Sequence, residues 1–338
     1  MHTSSAGFKL AVRDSILDLL WRQWTAIGIT GYSTAGESRV VDPEALLLLT
    51  LTVARHDARL FDAALDWMDA NASCVNVQRL QNMAHKAPAP ARAALGAIAA
   101  MLGQKTSLAL KWNKLELLDR LVEEETLFFQ ADGRAMPPPA HCDDFFRRHG
   151  LLRPPVRKRG RALPVPREGM PSLLLRLRSL LGVNIRCEIL CLLGAFDEIH
   201  PSLVARLVGQ APRTTQNVLA EMARSGVVQV RTAARLKSYA LVPGTLDVLL
   251  RPGGRTPWMN SVPLFRALEV LWLGLSDPRQ EHLDEPLLAS EWRRLAREIK
   301  PLLGDAGLGQ PLREDSSYPG DGYYRIFIED IGRILGRL

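Results

Sequence analysis

Arg213, Thr214, Gln216, Asn217, Ala220 and Arg224 are the side chains whose types and spacing most clearly suggest a chemistry. At a helical period Arg213, Asn217, Ala220 and Arg224 share one side, with Thr214 and Gln216 flanking it. Two guanidiniums, an amide and a small residue on one face are groups that reach phosphates and base edges in a DNA major groove. A second set, Arg231, Arg235 and Lys237, falls between two β-prone runs, Val227-Val-Gln-Val230 and Ser238-Tyr-Ala-Leu-Val242. That spacing puts the three cations at the tip of a basic hairpin. A third set, Arg157, Lys158, Arg159 and Arg161, is flanked by prolines and glycine. An extended basic arm of this kind suits phosphates or a minor groove.

Other chemistries find less support. Cys187 and Cys191 stand four apart on an expected helix, and two thiols without close-spaced further ligands do not make a tetrahedral metal site; small core residues are the better reading. Glu123-Glu-Glu125 and Asp143-Asp144 border expected loops, where carboxylates are solvated rather than tuned for catalysis. Walker, dinucleotide-binding, HExxH and GxSxG patterns do not occur. The expectation is therefore a protein that is not an enzyme and has neither metal nor cofactor.

The elements that must position the first two sets span residues 184–242. Ile185, Ile189, Leu192 and Leu193 recur at helical spacing and define a first helix. Pro201 suits the first turn of a second, whose apolar side is Leu203, Val204, Leu207 and Val208, and Gly209 suits its left-handed stop. A turn at Gln210-Ala-Pro212 leads to a third helix over 212–225, with Thr215, Val218, Leu219 and Met222 inward. The basic hairpin follows. This order, with Ala205 and Gly209 four apart, resembles winged helix-turn-helix transcription regulators of the ArsR/MarR kind; Gln210 stands where an apolar residue is more usual. The resemblance covers about 60 residues of the chain. It implies a recognition helix in the major groove, a wing on the backbone or minor groove, and a homodimer on near-palindromic double-stranded DNA. A different class of reading is an antitoxin-like or defence-system subunit, whose winged helix autoregulates its operon or holds a protein partner.

Net charge is +7, and its location matters more than its size. Residues 1–130 carry 13 basic and 14 acidic side chains, 151–178 carry 8 and 1, and 206–237 carry 6 and 1. Positive charge thus concentrates in and just before the expected DNA-binding module. Four cysteines without a paired framework, no early signal-like run and no long apolar run fit a cytoplasmic protein without a membrane span.

The flanks read as amphipathic helices, with Asp42-Pro43-Glu44 a clear helix start. The expected fold is mainly α, in four parts. Residues 1–135 form a helical domain for scaffolding, dimerisation or sensing. Residues 136–171 form an extended basic linker, 172–250 the winged helix and 251–338 a C-terminal helical domain. A helix over 172–181 is expected to place Arg176 and Arg178 outward.

Overall fold

The computed structural model describes residues 4–338 except 31–35, 106, 117–119, 158, 161, 234–235, 251–253, 310–311 and 319. It is mainly helical, as expected, with two small two-stranded sheets. The helices of the N-terminal part are α1 (Ser5–Ala26), α2 (Pro43–Val53), α3 (Ala58–Asn71), α4 (Val77–Ala84), α5 (Ala89–Gly103) and α6 (Ala109–Glu116). A two-residue strand β1 (Glu125–Thr126) pairs in parallel with β2 (Leu151–Leu152), on either side of α7 (Asp144–Arg148). Then come α8 (Leu173–Leu181), α9 (Ile185–Ala195), α10 (Pro201–Val208), α11 (Pro212–Arg224), β3 (Val228–Ala233), β4 (Leu236–Leu241) and α12 (Asp247–Leu250). The chain closes with α13 (Ser261–Leu275), α14 (Glu285–Asp305) and α15 (Gly322–Leu335).

Local sequence explains the boundaries. Asp42 caps α2 by accepting from Ala45 N–H at 3.0 Å, and Pro43 occupies a position that needs no donor. Asn184 caps α9 from Arg186 N–H at 2.9 Å. Gly209 ends α10 at φ 68°, a left-handed conformation that costs a residue with a Cβ more than glycine.

Buried apolar side chains divide the chain differently from its sequence punctuation. One core holds residues from α1 to α7, together with Leu175 and with α13, α14 and α15. Phe8 of α1, for example, packs against Trp292 of α14 and Phe327 of α15 with ring centroids 5.3 and 6.1 Å apart. The first and last helical stretches therefore build one body. A second core is formed by α8 to α12 with the two strands β3 and β4, and Val40 joins it.

Residues 136–171 are rich in chain breakers and mostly extended, yet the stretch does not merely span a gap. Leu163 N–H donates to Gly28 O at 2.8 Å, Ala162 bridges Ile29, and Arg159 N–H donates to Asp66 at 2.9 Å. Arg153 is buried, 2.7 Å from Asp62, with its guanidinium 5.1–5.9 Å from the rings of Phe61, Phe128 and Phe146. The cation gains from the aromatic faces and from one carboxylate, which offsets its desolvation. The segment is a strap fastened to the body.

The module is fastened to the body by buried charge, and one expectation is corrected here. Arg178 does not point outward: its side chain is fully buried, because it shares a helical face with Leu174 and Leu175. Its guanidinium donates to Glu44 at 2.6 and 2.9 Å and to Glu188 of α9 at 2.6 Å. Glu44 also accepts from Arg79 at 2.7 Å and from Asn76 N–H at 2.8 Å, and Arg79 pairs with Asp42 at 2.5 and 2.7 Å. Burial of Asp42 opposes its ionisation, but the Arg79 guanidinium, the Ala45 N–H and the charge of Arg178 together outweigh burial and hold the carboxyl below its usual range. Arg176 is half-buried, with its guanidinium on the carbonyls of Arg167 and Gly169.

Candidate nucleic-acid interface

Residues 185–241 fold as three helices followed by an antiparallel hairpin. Gln210 N–H reaches Ala205 O at 3.0 Å and closes the end of α10, and Pro212, one residue after Ala211, opens α11 at a position that needs no donor. Thr215, Leu219 and Met222 are buried and Val218 half-buried, which fixes the rotation of the helix. Arg213, Thr214, Gln216, Asn217, Ala220 and Arg224 are all exposed as a consequence. The six residues singled out for groove chemistry thus lie on the unburied side of one helix. Glu221 on the same helix is held by an ion pair with Arg186 of α9.

The hairpin pairs Val228 with Leu241 at its base and Ala233 with Leu236 near its tip. Tyr239 also exchanges two 2.9 Å hydrogen bonds with Ile199, so the segment before α10 adds a one-residue bridge to the sheet. This bridge ties the hairpin to the start of α10 and so sets the hairpin's position relative to α11. Arg231 and Lys237 are exposed, opposite Ser238 and Thr232 respectively. Arg231 has Glu198 as a half-exposed partner at 3.7 Å, a distance and exposure at which an ion pair contributes little. Arg235 lies outside the described residues.

The third set is placed elsewhere. Arg157 and Arg159 are exposed, but the backbone around them is fastened to Asp66, Gly28 and Ile29 of the body. Lys158 and Arg161 lie outside the described residues. The structure therefore brings the α11 face, Arg231 and Lys237 into one module, while the basic segment before it is attached to the body at Arg159, Ala162 and Leu163.

Cys187 and Cys191 are in the core of the module, and Cys187 Sγ lies 3.3 Å from Gly182 O. Burial pushes the Cys187 thiol up to about 11 and raises that of Cys191 further. Both thiols are thus protonated and poor ligands or nucleophiles near neutrality.

Sequence reasoning missed Arg206, an exposed cation on α10, and the Asp42–Glu44–Arg79–Arg178–Glu188 cluster. A carboxylate at the head of the wholly apolar run Ala45-Leu-Leu-Leu-Leu49 was the available signal for the cluster, since so apolar a helix has no solvated face on which to leave a charge. No helix among the described residues is long and apolar enough to cross a membrane. Compared with family models, curated proteins and solved structures, the chain matches none.

Proposed function

We propose that residues 172–250 form a winged helix-turn-helix and that the protein is a sequence-specific regulator of transcription that binds double-stranded DNA. The observation that carries this reading is the face of α11. A buried Thr215–Leu219–Met222 stripe turns Arg213, Gln216, Asn217, Ala220 and Arg224 toward solvent together, and a hairpin with exposed Arg231 and Lys237 follows at once. A helix of this width enters a major groove, where arginine and amide side chains discriminate bases and small residues allow close approach. The hairpin cations supply contacts to phosphate that position without reading sequence. The body, built from both ends of the chain, is the natural place for self-association, and a homodimer on two related half-sites is part of the proposal.

The test begins with selection of a preferred duplex from a random pool. Arg213→Ala and Asn217→Ala should each weaken binding to it by ~1–3 kcal/mol and relax discrimination, while keeping the salt dependence. Neutralising Arg231 and Lys237 together should weaken selected and scrambled duplexes alike and flatten the log–log salt slope by ~0.9 for each phosphate that is no longer neutralised. Unchanged affinity in folded α11 variants would remove the recognition-helix assignment. An unchanged slope in the hairpin variant would shift the reading toward a module that holds a protein.

A further inference from the structure

A cleft of about 640 Å³ runs between α10 and the body, with its walls drawn from α2, α4, α10, α13 and α14. That size suits a small organic molecule, which a protein usually encloses with an apolar lining and a few polar anchors. Met83, Leu203, Leu207, Trp258, Val262 and Leu302 line it and are only half-buried, so its walls present apolar surface. Covering that surface with an apolar chain is favourable, because it removes apolar area from water.

The charges of the cleft sort into spent and unspent. Arg79 is committed to Asp42 and Glu44. Arg266 is committed to Glu269, which also accepts from Thr52 Oγ1 at 2.6 Å. Lys86, just after α4, and Arg206 on α10 are exposed cations with no ion pair among the described residues. The acid that remains at the rim is the exposed Asp305. The cleft therefore offers an aliphatic-rich wall and two cations without an ion pair among the described residues, one from the body and one from the module.

We infer that this cleft binds an amphipathic organic anion, with a carboxylate at Lys86 and Arg206 and an aliphatic chain along Leu203, Leu207, Val262 and Leu302. Its carboxylate draws together one cation from each side, so the bound ligand fixes α10 against the body. The inference stands on the cleft alone and needs no DNA.

The probe is dodecanoate, titrated calorimetrically below its micellar range into the whole protein without DNA. Dodecanol, which has the same chain without charge, and dodecyltrimethylammonium, which has the opposite charge, are the comparisons. Dodecanoate should bind one per chain and change the tryptophan fluorescence of the wild type but not of a Trp258→Phe variant, and the two comparisons should bind about tenfold or more weakly. Lys86→Glu and Arg206→Glu, both at exposed positions, should each weaken dodecanoate by about tenfold and leave dodecanol unchanged. Leu203→Trp, which fills the cleft, should abolish binding of both while the far-ultraviolet dichroism stays that of the wild type. Equal affinity for dodecanoate and dodecanol, retention of dodecanoate by both charge-reversed variants, or no binding of dodecanoate would each overturn the inference.

Discussion

Replacing Glu44 by glutamine should be among the most damaging isosteric changes in the molecule. Oε1 of Glu44 accepts from Arg178 Nη1 at 2.6 Å and Asn76 N–H at 2.8 Å, and Oε2 from Arg178 Nη2 at 2.9 Å and Arg79 Nη1 at 2.7 Å. A carboxamide offers one acceptor and one donor group. Whichever way it is turned, its NH2 replaces an oxygen that met two donors, so two of the four hydrogen bonds become donor–donor contacts around a side chain that is itself fully buried. A buried hydrogen bond to a charged group is worth ~1.5–3 kcal/mol, and breaking a buried ion pair by removing one partner costs ~3–5 kcal/mol. Two compensations limit the loss: Arg178 keeps Glu188 and Arg79 keeps Asp42. The expected loss for Glu44→Gln is therefore about 3–5 kcal/mol of unfolding free energy in urea. A double-mutant cycle with Arg178→Gln should show a coupling of ~1–3 kcal/mol, since the second change removes one of the stranded guanidiniums. Because the cluster joins α2 and α4 of the body to α8 and α9, the variant should also separate unfolding of the module from that of the body. A loss under ~1 kcal/mol, or strict additivity in the cycle, would refute the reasoning.

Two further perturbations have definite signs. His56 stacks on Phe129 at 4.8 Å and meets Trp272 edge-on at 5.0 Å, and burial, reinforced by the charges of Arg13, Arg55 and Lys9, lowers its pKa to about 4. The unfolded chain then binds more protons between about pH 6.5 and 4, so stability is lost as pH falls through that window. His56→Gln should flatten this part of the stability–pH curve, and an equally steep variant would exclude His56 as its source. The buried Cys187 and Cys191 should resist alkylation in the native protein at about pH 8, while the half-buried Cys74 and Cys142 react first. The double change Cys187→Ser, Cys191→Ser should lower stability by placing two hydroxyls in an apolar core. Peptide mapping of the labelled protein reads the first claim, and comparable labelling of all four sites would contradict it.

Local signals in the sequence carry a large part of this molecule. Asp42-Pro43, Asn184 and Pro201 start helices and Gly209 stops one because capping depends only on residues within a turn of each other. The burial of Thr215, Leu219 and Met222, and with it the exposure of Arg213 and Asn217, follows from a period that one helix sets by itself. Only the tertiary structure decided what happens between distant residues. Prolines mark 136–171 as extended, but its fastening depends on Asp62, Asp66 and Gly28, about 90 or more residues earlier. Arg178 reads as a solvated cation because charge on an amphipathic helix normally faces water; its partner Glu44 is 134 residues away, and pairing there reverses the preference. The union of α1 with α13 to α15 in one core, and the cleft that lies between that core and α10, likewise depend on which apolar faces meet, a choice that periodicity leaves open because it states that a face is apolar and not what will cover it.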